Sequence, residues 1–478
     1  MTLVKTSSII IFRVIICILM AVLIAPKLLA EDYVPDDYIW HSTSKNSSES
    51  MPCGGYDIGM NVWVEDGDLI FYISRSGMFD ENNTLLKAGR WRLRLASDPF
   101  RNFGGTFSQT LCLNDGAVYI DGEGTEVCLW ADVYTSAVFL QIKSNRKTDA
   151  TLFYENWRYR DRQVTESENQ QCSYKWELPE DCITFADSIR ADGSILNFSH
   201  KNREKTVFDY TVSREQLEPI KPELYNPIGG LCFGGRMEAP GFSFIGTQDG
   251  IYASTDYRAW LFEAKKIKEA TVSICFFTGN QTQPMPSPKI SRKRSADWWH
   301  AYWQRSHIQL ENAKTISRSP TKLALLRAAR NYELFRYMLG CNAYGEWPTK
   351  FNGGLFTFDP VYIDSKAPFT PDYRRWGGGT MTAQNQRLVY WHMLKGGDFD
   401  MMISQFQTYL RMLPTAVART KYYWGHNGAS FCEQIENFGL PNPAEYGIHE
   451  PGDDMGAQRM ARISLGYCPR ILLHDTTV

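Results

Sequence analysis

The stretch "NVWVEDGDLIFYIS", residues 61–74, constrains this chain more than any other. Apolar and polar residues alternate on both sides of the turn "EDGD". A side-chain period of two commits the backbone to extended strands whose two faces differ in polarity. The pattern returns in "WRLRLA", "VCLWADVY", "AVFLQIKS", "FDYTV", "FSFIGT" and "VSICFFTG". Many short strands set apart by Gly and Asp turns predict a large β-sandwich, occupying residues 31–280 with its strands from residue 52 onward.

The period then changes. "NQTQPMPSPKISRKRS", residues 280–295, mixes Pro, polar residues and four basic side chains. It predicts a linker over 281–295, with nucleic-acid binding by its charge as the alternative. Beyond it, "ADWWHAYWQRSHIQLE" and "TKLALLRAARNYELFRYMLG" are helical. The second sets Leu325, Leu326, Ala329, Tyr332, Phe335 and Met338 near i, i+3, i+4 spacing, which predicts a buried face. "TAQNQRLVYWHML" and "DFDMMISQFQTYLRMLPTAVART" continue the series to about residue 457. Helices joined by long loops rich in Trp, Gly and Asp suggest an α/α layer whose loops build a site.

The N-terminus reads as a leader. Lys5 and Arg13 precede an apolar run from Val14 to Ala25, and the small residue Ala30 stands before Glu31. This predicts a secretory signal peptide over 1–30 and an exported protein, periplasmic or extracellular. An uncleaved anchor is the alternative, because Arg13 interrupts the pattern. No later stretch is apolar enough to span a bilayer once the leader is removed. Cys17 lacks the small residues that precede a lipidation cysteine. The roughly 450 residues that follow the leader are enough for two or more domains, each with its own core.

Charge narrows the partners. With 51 Lys and Arg against 53 Asp and Glu, the formal net charge is −2, which argues against nucleic acid or a membrane surface. The marked bias is aromatic: 14 Trp, 25 Tyr and 26 Phe. Such rings fill cores and also stack on the apolar faces of sugars. Eleven cysteines without CxxC pairs indicate neither a zinc site nor a small disulfide scaffold. Export permits a few disulfides, and Cys172 with Cys182 could close a short loop; buried free thiols are the alternative. Neither P-loop, HExxH, GxSxG nor dinucleotide fingerprint occurs, and no cofactor or metal is expected.

Three loops concentrate the unusual residues. "CNAYGEWPTKFNGGLFTFDP" carries Trp347, "PDYRRWGGGT" carries Arg375 and Trp376, and "YYWGHNGASFCEQIENFG" carries Trp424, His426, Glu433 and Glu436. A cleft with aromatic walls and hydrogen-bonding groups suits an oligo- or polysaccharide; packing is the ordinary use of each Trp. Glycosidic cleavage normally needs two carboxyl groups, and Glu346, Asp359, Asp372, Glu433 and Glu436 are the candidates. Glu433 and Glu436, three apart, would share a face on a helix and raise each other's pKa; a solvated acidic face is the alternative. Asn385 begins a helix face through Leu388, Val389 and His392, beside Trp391. An amide cannot act as acid or base, but it can hold a water or bind a hydroxyl; a structural hydrogen bond is the alternative.

The order of parts adds a resemblance. "MPCGGYDIGMNVWVEDGDLIFYISRSGMFDENN", then "RYMLGCNAYGEWPTKFNGG", then "TAQNQRLVYW" resemble the bacterial domain of unknown function 5703 over about residues 50–450. More distantly they are similar to glycoside hydrolase family 95, the inverting α-L-fucosidases and α-L-galactosidases. That likeness implies a β-supersandwich followed by an (α/α)6 six-hairpin barrel and inverting hydrolysis of glycosidic bonds. The family's "P-x-G-x-G-x-x-G" is similar to "PCGGYDIG", where Pro52, Gly54 and Gly59 keep their places. Its asparagines assist an aspartate base; Asn385 matches one and Ala383 stands where the other would be. The resemblance also implies that "SRSGMFDENN" lends Arg75, Asp80 and Glu81 to sugar binding, with a solvated turn as the alternative.

The family's acid and base lie in later hairpins, and residues 296–478 would supply only about half of the twelve helices. A truncated product or fragment with little or no turnover is therefore expected. Residues 458–478, "RMARISLGYCPRILLHDTTV" and the residue before, show no helical period and suggest an out-of-frame tail. Nucleotide sequence through codon 456 and onward tests this; no helical frame beyond the stop would remove the idea. A non-catalytic carbohydrate-binding protein is the rival to a glycoside hydrolase.

Overall fold

The structure, a computed structural model, describes residues 33–101, 105–279, 284–308 and 320–443. The expected leader and the 458–478 tail lie outside these residues. The architecture is a large antiparallel sheet of fourteen strands followed by helices.

Two long strands, Ala137–Asn156 and Thr255–Thr278, organise the sheet. They pair along both ends, with register shifts between Ala264 and Glu269. Such bulges bend a strand and let it serve two differently oriented neighbours. The early part of Ala137–Asn156 pairs with Thr125–Ala131 and so extends through Ala117–Gly122 and Ser108–Cys112 to Tyr38–Trp40. Its later part pairs with Leu85–Leu95, which leads through Asp68–Phe79 and Ile58–Glu65 to Met51–Gly55. On the other long strand, Cys232–Glu238 joins one end and Ser243–Tyr252 the other.

The expected alternation takes a more buried form. In "NVWVEDGDLIFYIS" the apolar residues of both faces are below 2% exposed. Val62, Val64, Leu69 and Phe71 enter the main core, together with Leu129, Phe198 and Ile274 from the other arm, whereas Trp63, Ile70 and Tyr72 form a second cluster with Trp157. The sheet is covered on its second face because loops from the helical part, such as the one holding Asp359, lie over it.

The described residues hold five α-helices: α1, Val207–Arg214; α2, Pro288–Arg305; α3, Pro320–Cys341; α4, Ala383–Gly396; α5, Ile403–Trp424. α2 starts inside the expected linker. Ser287 accepts from the Ile290 amide, and Pro288 takes the first turn, where a missing N–H costs nothing. Its basic residues are fastened to the sheet: Arg292 to Asp115 and Arg294 to Asp132. This is why a stretch composed like a linker folds. Trp299, Tyr302 and Trp303 follow on the buried face.

The expected face of α3 is rotated, with Leu326, Ala329, Tyr332 and Met338 only half-buried. Leu325 and Phe335 are 54% and 41% exposed, whereas Glu333, Arg336, Tyr337, Gly340 and Cys341 are buried. Arg336 reaches Asp398 and lies over the Tyr302 ring, and Tyr337 packs on Trp299. A buried ion pair with aromatic cover outweighed hydropathy in choosing the inward side. No described helix is long and apolar enough to cross a membrane.

Candidate functional site

A half-open pocket of about 190 Å³ lies where the second long strand ends. Gly77 and Phe79 form one wall, Tyr225, Pro227, Ile228 and Leu231 another, and Glu346 with Trp347 close it beside Thr278 and Gly279. Trp347 is held edge-on by Phe79 at 5.8 Å and covered by the Arg411 guanidinium, 4.6 Å from its ring centroid. Arg411 also donates to the Glu346 carbonyl at 2.7 Å and to the Tyr225 hydroxyl. Burial pushes the Tyr225 phenol up, so it remains a neutral donor. Thr278 offers a buried hydroxyl without a protein partner. An aromatic wall, a carboxylate, a phenol and a hydroxyl can together orient a small polyhydroxylated molecule.

A second group of expected residues sits on the Arg375–Gly378 loop. Asn352 donates to the carbonyls of Arg375 and Trp376 at 2.8 and 3.0 Å. Lys350 and Lys175 cap the Gly377 carbonyl at 3.0 and 2.8 Å, and Lys350 also reaches Gly378. Burial, with Lys175 and Arg374 nearby, holds the Lys350 amine well below the usual lysine range. Trp376 adopts φ +59°, a left-handed conformation costly for a bulky residue. Its ring is 41% exposed and meets that of Trp176, 56% exposed, edge to face at 6.0 Å. Arg375 points to solvent beside them.

Glu433 and Glu436 do not share a helix. They flank the two-residue strand Gln434–Ile435, which pairs with Met381–Thr382. Glu433 accepts from the Gln384 amide at 2.9 Å, an anion at the N-terminus of α4. Glu436 is fully buried and accepts from Ser173, Asn83 and Thr380. Asn83 belongs to the turn that begins at Asp80, so this turn reaches Glu436 through Asn83, while Asp80 and Glu81 are held by other partners. Asp80 accepts from the Asn82 and Thr84 amides, and burial together with Glu81 raises its pKa far above the carboxylate range. Glu81 pairs with His200 at 3.2 Å, and Arg75 with Asp57 at 2.9 Å. The "SRSGMFDENN" stretch is thus neither a solvated turn nor a surface loop, because each charge has an internal partner.

Asn385 is exposed, together with Leu388; the inward face of α4 runs through Gln386, Val389, Tyr390 and Met393. Gln386 donates to the Thr349 carbonyl. One residue of helical phase separates the expected amide from the buried one. Trp391 is 54% exposed under Arg387, and His392 is wedged against Tyr332 and Phe335. Burial, then Arg336, lowers the His392 pKa. Trp424 ends α5 and His426 is exposed just beyond it. The structure therefore gathers Trp347 with Glu346, Arg375 with Trp376, and Asp80 with Glu81, and it places Glu436 with Asn83. Arg411, Tyr225 and Trp176 were missed: Tyr225 stands in a loop and Trp176 in a three-residue 3-10 helix, neither with a periodicity to mark it, and Arg411 on α5 is joined to Trp347 only by the fold.

Residues 39–308, more than half of the chain, match the family described as a domain of unknown function (DUF5703). The chain belongs to that family. Among solved structures, one described as a kojibiose phosphorylase from the human microbiome is similar to this DUF5703 chain at 11% identity and a TM-score of 0.45. The likeness takes in 87% of this chain and 54% of that one, so the DUF5703 chain spans about half of that relative's length. No curated protein matches it.

Proposed function

We propose that this DUF5703 chain is an exported carbohydrate-active protein that binds a saccharide in the pocket beside Trp347. The carrying observation is the pairing of a locked tryptophan with Glu346, Tyr225 and Thr278 in a half-open space of about 190 Å³. A pyranose has apolar faces that pack on apolar walls and hydroxyls that satisfy such polar groups. In the same proposal the sheet is a β-supersandwich and the helices are the first part of an (α/α)6 barrel. Exposed Leu325, Phe335, Leu388, Trp391, Leu394, Phe406 and Leu410 on α3 to α5 support this, since apolar helix faces of that extent suit packing against further helices.

Inverting hydrolysis of fucoside- or galactoside-like bonds is the activity proposed for the family. For this chain we expect binding with little or no turnover, because Glu346 is the one carboxylate among the described residues lining the pocket and inversion uses two. The same observation favours the second reading, a non-catalytic glycan binder. The test offers fucosylated and galactosylated oligosaccharides to the full chain and records binding and sugar release. Binding that weakens at least tenfold in Glu346→Gln, with folding unchanged, is expected. No binding or release by the parent protein would overturn the proposal, and robust hydrolysis would overturn the expectation of low turnover. The leader supports export; detection of the protein only in the cytoplasm of its host would count against it.

A further inference from the structure

We propose that Cys172 and Cys182 are a disulfide-forming pair, and that their bond locks the segment 166–183 onto the Arg375–Gly378 loop. The two thiols are free and buried, 0% and 4% exposed, and the residue after each is bonded to Asn82, the Ser173 amide to its carbonyl and the Ile183 carbonyl to its side-chain amide. The Cys172 thiol donates to the Asn169 carbonyl at 3.5 Å, and Lys175 lies nearby, a cation that favours the reactive thiolate form.

The segment between them touches both expected parts of the site. Ser173 donates to Glu436 at 2.5 Å, and its amide donates to the Asn82 carbonyl. Lys175 reaches the Gly377 carbonyl, and the Gly377 and Gly378 amides donate to Gln170 and Gln171. Trp176 rests against Trp376. At the far end, the Ile183 carbonyl accepts from Asn82 and the Cys182 carbonyl from the Val164 amide. A covalent bond across 172 and 182 closes this short span and removes the freedom of its ends in any opened state.

The step needs an oxidant of the disulfide class. The thiolate of one of the two cysteines attacks one sulfur of that oxidant, forming a mixed disulfide and expelling the first oxidant thiolate. The other thiolate then attacks the cysteine sulfur of that mixed disulfide and expels the second. One S–S bond forms in the protein and one breaks in the oxidant. Two electrons pass to the oxidant, which leaves as two thiols carrying the two protons.

The full chain, purified with reductant, is incubated with glutathione disulfide, its remaining thiols are alkylated after unfolding, and its peptides are weighed. A linked peptide containing Cys172 and Cys182, lighter by two hydrogen atoms than the reduced pair, is expected. Recovery of both cysteines alkylated, or joined to other cysteines, would overturn the pairing. For the lock, oxidation should raise the thermal midpoint and slow proteolytic cleavage within 166–183, and both effects should vanish in Cys182→Ser. An unchanged midpoint and cleavage rate in a sample proven to be oxidised would overturn it. None of these readouts involves a sugar, so they stand or fall apart from the proposed ligand.

Discussion

His200 shows how single residues here exchange surface chemistry for interior chemistry. Burial works against its cation, but hydrogen bonds to Asp187 and Glu81 prevail and push its pKa up to about 9. A histidine raised above its unfolded value of about 6.5 stabilises the fold fully below that pH, and the contribution is lost as pH rises through about 9. The full effect is about 3 kcal/mol at 1.36 kcal/mol per unit. Lys87, lowered to about 7 by burial and Arg374, gives the opposite slope between about 7 and 10.5. The measurement is therefore a difference: urea midpoints of parent and His200→Gln at pH 6 and 9.5 should converge at the higher pH. A gap that stays constant would refute the assignment.

Glu436 was chosen as a catalytic candidate from its spacing, yet three donors converge on it in the interior. Glu436→Ala should cost about 3 kcal/mol, because buried donors lose their acceptor. Glu436→Gln should be milder, keeping one accepting oxygen. If the glutamine variant instead keeps full stability and loses saccharide binding, Glu436 acts on the ligand and the structural role is wrong.

At the scale of elements, the docking of α2 is decided by one glycine. Gly116 has φ +64°, and a Cβ there would stand 1.8 Å from Trp299 Nε1. Trp299 is closed in by Tyr302, Trp303 and Tyr337 and has no free direction. Gly116→Ala should destabilise by about 3 kcal/mol or more through overpacking and strain, read as a lowered urea midpoint. Retention of the parent midpoint would mean that the helix can shift. The sequence foretold helices but not their phase. In α3 an Arg336–Asp398 pair, and in α4 the Gln386 bond to Thr349, turned inward residues that hydropathy places outside.

Across the whole molecule, buried carboxylates of the helical part tie its loops to the sheet. Asp359 accepts from Tyr72 and Ser47, and Asp372 from Trp157, Arg158 and the Lys87 amide. Burial raises the Asp359 pKa against the pull of Arg90 and these bonds. Asp359→Ala should cost roughly 2–4 kcal/mol, one unmet donor at a time, and should speed proteolysis between residues 351 and 380. Cleavage no faster than in the parent would show that the loop is held otherwise.

What the sequence determined alone is the alternation that makes a sheet, the change of period near residue 290, and the family. These are local, carried by neighbours two to four residues apart. Only the tertiary structure decided which polar residues face outward. Asn83 and Glu436, and Ser173 and Glu436, are brought together by turns that periodicity does not encode. Arg411 meets Trp347 from 64 positions away. Burying a charge is tolerable only beside a partner, and partners so distant in the chain become visible only once it is folded.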